Sequence, residues 1–341
     1  VIIGGGITGV ISAYLLSKTG KKIILLERRK LGENVTDCTT GFLTEIIDIE
    51  PEKAIFLYGL EQTKKIFESH RNAINNIEKI IKDEKISCDF ERCSSFIYAN
   101  SKSECEKLKR RYKTYKKIGL SVKTNKDLKL NNLDSIEIED QAKFHVMKFL
   151  SSLAEISNKK GVIISENTKA ISIEKKDNLM NVFLENGQNI KAEKVIVATY
   201  TPFNKPSFSK NKYNLYRSYV LEYKIPKNTL PDATYEDTLK PYNYFRIDKM
   251  NEYDRLIIGG NDNLDIIKAE KEACFKNMDK YAKKIFKKHK IEKMSNWSGL
   301  IAEPVGGIAL IGEGEPDIYY AFGFSGNGLT YSYIAGEIFT D

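Results

Sequence analysis

The chain has 341 residues, 41% of them apolar, which is ample for about two domains with a substantial core and excludes an intrinsically disordered protein. No run of about 18 apolar residues occurs, so no transmembrane helix is expected. The net charge of +8 would suit nucleic acid or an anionic membrane. However, the densest basic segments, 107–117 and 280–290, interleave Tyr112, Tyr115, Tyr281, Ile285 and Phe286 at helical spacing. That pattern is read as solvated helix faces, so no nucleic-acid partner is expected.

In chain order, residues 1–3 read as the tail of a buried strand whose start is missing. The turn Gly4-Gly5-Gly6-Ile7-Thr8-Gly9 follows, then a helix with Val10, Ala13, Tyr14 and Leu16 on one face and Gly20 at its end. Residues 21–27 form an apolar strand that closes on Glu27, as suits a parallel strand covered on both faces. A polar loop spans 32–40, and Gly41-Phe42-Leu43 follows it. The patterns predict a helix over 52–85, a strand over 88–99 and a helix over 104–117. A second strand–helix region opens near Gln141, with Phe149, Leu150 and Leu153 on a helix and strands at 162–164 and 170–174. Asn186-Gly187 between two alternating runs predicts a hairpin. Residues 194–199 read as a buried strand, and 219–223, 244–247 and 256–260 as antiparallel strands. A long amphipathic helix is expected from about 268 to 290, and 319–339 reads as strand, glycine turn and helix, cut within that helix. The fold class is therefore α/β: a discontinuous Rossmann-like nucleotide-binding domain (1–50, 141–205 and 297–341) carrying an inserted antiparallel-sheet substrate domain (51–140 and 206–296).

The first glycine turn is informative through its context. It follows a strand and opens a helix, and an acid stands at the end of the next strand. Gly4 permits the tight turn, Gly6 lets backbone N–H groups approach a pyrophosphate, and Gly9 lets helix and strand pack closely. The helix N-terminus attracts the anion, and Glu27 is placed for ribose hydroxyls. These residues signal a dinucleotide without separating FAD from NAD. The second glycine turn, 321–330 with Gly323, Gly326, Asn327, Gly328, Leu329 and Thr330, separates them. A flavin ring lies far from the pyrophosphate and gains negative charge on reduction, so a second helix N-terminus has a task there.

These motifs resemble the D-amino-acid oxidase superfamily of FAD-dependent oxidoreductases nearly end to end. Gly4 to Gly9 with Glu27-Arg28 resembles its FAD fingerprint, and 36–44 falls where the family passes a small-residue loop by the flavin. Residues 141–145, 195–202, 297–300 and 307–312 resemble further family segments. Tyr244-Phe245-Arg246 with 256–260 is similar to a branch in which some members carry an added Rieske iron–sulfur domain. The resemblance implies FAD held by Gly4, Gly6, Ile7, Thr8, Gly9, Glu27, Arg28, Thr39, Thr40, Gly41, Phe42, Leu43, Ala170, Ala198, Thr199, Gly299 and the closing turn. It implies hydride transfer to the flavin from a C–H beside an amine nitrogen of a small amine or amino acid, and a possible electron-acceptor partner or Rieske domain outside this chain. The sequence departs from the family at Ile301, where many members have a carboxylate-gripping arginine. Arg246, Tyr244 and Arg217 are the expected substrate-side residues, with a structural salt bridge an equal reading for the two arginines; Tyr216, Tyr219 and Tyr242 are further lining candidates, although aromatics at such spacing more often pack a core. No cysteine is placed like the covalent flavin anchor of some members, so FAD is expected to be non-covalent.

Five cysteines without CxxC spacing argue against disulfides and zinc and fit a cytoplasmic protein. His70, His145 and His289 are scattered, and no metal site is expected. The rival readings are an NAD(P)H-using flavin hydroxylase and a flavin-bearing electron-transfer subunit or sensor.

Overall fold

The structure is a computed structural model, which describes residues 1–125, 128, 130, 133–204, 206, 209, 212–264 and 271–341. A six-stranded sheet runs in the order Leu310–Glu315, Ile318–Phe322, Val195–Val197, Ile2–Ile3, Ile24–Leu26, Ile163–Ser165. All neighbours are parallel except the first two, which are antiparallel. Its strands are short and apolar because helices cover one face and a second sheet the other. On the helix side, Ile7–Ser17, Val146–Lys159 and Gly328–Ile338 bury Val10, Tyr14, Phe149, Leu153 and Ala335 in one core. On the other side, a three-stranded sheet (Ala170–Lys176, Leu179–Leu184, Asn189–Ala192) packs Met180 and Val182 onto Val195, Val197 and Tyr320. The Asn186-Gly187 hairpin is its turn, with Gly187 at φ 86°.

The larger nine-stranded sheet holds Glu292–Pro304, Tyr213–Ile225, Asp254–Leu264, Tyr244–Lys249, Ala233–Asp237, Glu91–Tyr98, Ser135–Lys143 and Phe42–Leu43, with Val122–Asn125 paired to Ser135–Lys143. It is antiparallel apart from one parallel pair, Ala233–Asp237 with Glu91–Tyr98. Odd residues of one long strand (Tyr219, Leu221, Tyr223, Ile225) pack with Cys274 and Met278 of the helix Lys271–Ile285. Glu292–Pro304 lies wholly in this sheet, so the chain returns to the six-stranded sheet at Leu310 rather than at 297.

The predicted helix over 52–85 is two helices, Pro51–Tyr58 and Leu60–Asp83. Gly59 between them takes φ 77°, a conformation that ends a helix and that glycine adopts without strain. The basic helix is shorter than expected, ending at Ile285, and its expected start near 268 falls outside the described residues.

One buried ionic cluster braces the nine-stranded sheet. Arg246, 5% exposed, gives Nη2 and Nε to Asp248 Oδ2 at 2.9 and 3.2 Å, and Arg255 Nη2 reaches the same oxygen at 2.7 Å. Lys143 Nζ joins from the strand Ser135–Lys143, at 2.9 Å to Asp248 Oδ1, and also meets Asp232. Burial alone would raise the Asp248 carboxyl, but the surrounding cations overcome it and hold the group at about 2. A depressed carboxyl stabilises the fold above its unfolded value, and that stability is lost as the pH falls through the folded value. Asp248→Asn should therefore cost about 3–5 kcal/mol, because it strands buried cations. Thermal unfolding at neutral pH would show this as a lower Tm, and the gap to wild type should close between about pH 4 and 2.

Candidate active site

The strand Ile2–Ile3 lies in mid-sheet, flanked by Val195–Val197 and Ile24–Leu26. Chain order reverses there, and this is where open α/β sheets leave a crevice at their strand ends. A cavity of about 730 Å³ opens at that point and runs from Glu27 and Lys169 to Asn327 and on beneath the nine-stranded sheet.

The first glycine turn forms one end. A Cβ on Gly4 (φ 113°) would lie 2.4 Å from Ala198 O, and one on Gly9 would lie 1.8 Å from Gly4 O. Helix and strand approach this closely because nothing stands between them. Gly6 caps the helix with no side chain, so the first amides are left to the cavity, apart from Ile7 N–H donating to Thr36 Oγ1 at 3.1 Å. Glu27 accepts from Gly5 N and Arg29 N at 2.7 and 2.8 Å, which fixes its carboxylate at the cavity wall.

The closing turn forms the other end. Asn327 precedes the helix Gly328–Ile338 and is 6% exposed. Its amide donates to Ile46 O at 2.7 Å and accepts from Asp48 N at 3.2 Å, tying the turn to the segment after Phe42–Leu43. Thr330 points away from the cavity. Its hydroxyl meets His70 Nδ1 at 2.7 Å, and burial pushes His70 down to about 3, so the ring is neutral.

Of the sequence-predicted cofactor residues, Gly4, Gly6, Ile7, Thr8, Glu27, Arg28, Thr39, Thr40, Phe42, Ala170, Ala198, Thr199, Gly299, Gly326, Asn327, Gly328 and Leu329 line the cavity. Gly9, Gly41, Leu43, Gly323 and Thr330 stand behind that lining. Gly41 (φ 74°) is needed there, since a Cβ would lie 2.4 Å from Phe144 O.

The substrate-side expectations require correction at arginine. Arg246 does not face the cavity. Its Nη1 donates to Thr40 O, Phe144 O and Gly41 O at 2.6, 3.2 and 3.4 Å, and its other nitrogens hold Asp248. With those donors committed beneath the Thr40-Gly41 loop, it is not placed to grip a substrate carboxylate. Arg217 likewise lies outside the lining, with Nη1 3.5 Å from Ser298 Oγ. Tyr244 does line the cavity. Its hydroxyl lies 3.1 Å from Ser218 Oγ, its ring packs edge-on to Phe42, and Gly259 opposite leaves the room it occupies. Burial holds its phenol well above the usual range, so it keeps its proton. Tyr242 also lines the cavity, whereas Tyr219 packs on the far face against Phe275 and Tyr216 lies outside the lining.

Sequence reasoning missed the acids. Asp48 is deep in the molecule yet open to the cavity, accepting from Tyr242 OH at 2.8 Å and Gly326 N at 2.5 Å. Glu236 lines the same end, and burial pushes it up to about 7, with Asp48 adding to the rise. Asp262, bonded to Ser218, is pushed up to about 6 by burial and by the charges of Asp48 and Glu303. Alternation within 233–237 was the available signal, but that strand was not recognised.

A sequence-family profile described as FAD dependent oxidoreductase (DAO) matches residues 1–341. The chain belongs to this family. A Bacillus subtilis protein, YhfW, that carries the name Rieske 2Fe-2S iron-sulfur protein is 27% identical over all of this chain and 67% of its own length. Glycine oxidase from Geobacillus kaustophilus is similar in structure, with TM-score 0.82 at 17% identity over 100% of this chain and 92% of that one. L-proline dehydrogenase from P. horikoshii gives 0.80 at 19% identity over 98% and 90%. The chain is thus an FAD-dependent oxidoreductase, and its fold is that of these flavoenzymes.

The residues present fit FAD. The Gly4/Gly9 cradle admits no side chain, Gly6 and Thr8 line the cavity beside it, and the Glu27 carboxylate at the cavity wall would accept from ribose hydroxyls. Gly9→Ala should abolish FAD retention, because its methyl would occupy the space of Gly4 O; the flavin absorbance of purified protein measures this. Arg246→Ala should lower both FAD content and Tm, as the loss of a floor support would, rather than selectively raising KM for carboxylated amines.

Proposed function

We propose that this protein oxidises a C–N bond of a small amine or amino acid. The carrying observation is the continuity of the glycine-turn cleft with a walled chamber roofed by Tyr244, Ser218 and Val220 from the nine-stranded sheet and by Tyr242 from the loop before it. FAD held in the cleft would supply the two-electron acceptor for a hydride. The substrate loses that hydride from carbon and a proton from nitrogen, leaving an imine that water hydrolyses. Within the chain, the tyrosines and Val220 exclude water and position the reacting carbon. The closing helix presents its positive N-terminal end to charge that develops at that end of the cavity. Asp48, Glu236 and Asp262 are available to hold the amine and accept its proton. The reading agrees with the amine and amino-acid chemistry named for glycine oxidase and L-proline dehydrogenase.

FAD is proposed to be non-covalent. Cys38 lines the cavity, but burial and the Asp37 carboxylate push its thiol up to about 12, leaving little thiolate. A cytoplasmic setting is proposed on the five free cysteines. Among the described residues, no helix is long and apolar enough to cross a membrane. The name carried by YhfW points to an iron–sulfur centre outside this chain as the next electron carrier.

Purified protein should be yellow, and acid precipitation should release the colour into the supernatant. An amine should bleach it anaerobically without NAD(P)H; bleaching that requires NAD(P)H would overturn the proposal. A one-electron acceptor should restore the colour faster than air.

A further inference from the structure

The chamber beyond the closing turn has an unusual charge balance. Asp48 and Glu236 line it, and Asp262 stands behind Ser218. The described cations near them are Lys240, which pairs with Glu50 at 2.7 Å and does not line the cavity, and Arg111, whose nitrogens lie 3.4 Å from Glu50 and 3.9 Å from Glu236. Arg111 is shared between two acids and does not line the cavity. Asp48 and Asp262 have no ion-pair partner among the described residues, and Asp262 Oδ1 is shielded from solvent without a hydrogen-bond donor. No lysine or arginine lines this end: the cavity's Arg28 and Lys169 stand at the nucleotide end, and Ile301 and Leu300 occupy the wall by Gly299. A substrate carboxylate would enter a chamber that already repels it and would find no guanidinium. A cation would find the reverse. Among the described residues no group of acids, histidines or cysteines is arranged to hold a metal ion, which leaves an organic ammonium.

We propose that the substrate is a diamine or polyamine without a carboxylate, one ammonium resting between Asp48 and Glu236 while a second amine reaches the flavin end of the cavity. The proposal rests on the amine-oxidation reading and narrows it. Two carboxylates and a tyrosine hydroxyl match the three donors of a primary ammonium, and the cation relieves the mutual repulsion that the acids otherwise sustain. Tyr242, donating to Asp48, fixes that carboxylate without neutralising it.

The test uses the FAD-loaded protein, with putrescine and sarcosine as probes and flavin absorbance as the readout. Putrescine should perturb the spectrum saturably and bleach it, and sarcosine should bind more weakly. Glu236→Gln should weaken putrescine binding about tenfold, as removal of a charged hydrogen-bond partner does, and Asp262→Asn should weaken it by less, through the loss of a charge behind Ser218, with FAD content unchanged in both. Tighter binding or faster turnover of sarcosine would overturn the proposal, as would wild-type putrescine affinity in both variants. If sarcosine alone bleaches the flavin, amine oxidation stands and the dication falls. If putrescine binds through Glu236 but never bleaches, the cation site stands and amine oxidation falls.

Discussion

Everything at the cavity depends on how closely the first and last helices of the chain approach. Thr8 and Ser332 hydroxyls meet at 2.7 Å across them. Gly336 lies where a Cβ would be 2.8 Å from Leu15 Cδ1, and Ser12 is fully buried between the two. A larger residue at any of these points would force the helices apart. Because they cannot separate, their N-termini converge on one cavity, which residues of both ends line. Residues more than 300 positions apart in sequence (|i−j| is 324 for the Thr8–Ser332 pair) are thereby made neighbours.

The nucleotide half of the site was legible in the sequence because its physics is local. A glycine turn, the helix it opens and the acid that closes the next strand lie within residues 4–27, and each imposes a residue type on its own position. The closing turn was legible for the same reason. The architecture followed from alternating patterns, although Gly59 went unrecognised as a helix break. A single glycine between two helical stretches does not alter the periodicity on either side of it.

The substrate half was not legible, because it is built by pairing between distant strands. Asp48, Glu236 and Asp262 come from three separate segments and meet only when the nine-stranded sheet is assembled. Arg246 was misassigned for a related reason. An arginine on an inserted strand beside two tyrosines has the chemistry of a carboxylate clamp, and only the tertiary fold reveals that three backbone carbonyls and Asp248 already claim it. Burial of a guanidinium tends to mean that its donors are already engaged, since leaving them unmatched is costly.

The strand Tyr244–Lys249 joins these two halves in alternate residues. Tyr244 faces the chamber, Phe245 faces the core beneath the helix Lys271–Ile285, and Arg246 and Asp248 brace the loop that carries Thr40 and Gly41. One strand and the residues that lead into it therefore carry two separable parts: a tunable front at Tyr242 and Tyr244, and a fixed foundation at 246–248. Redesign of what the protein accepts can be confined to Tyr242, Tyr244 and Glu236, whose side chains line the cavity. The same chemistry changed two residues further along would undo the seat of the cofactor.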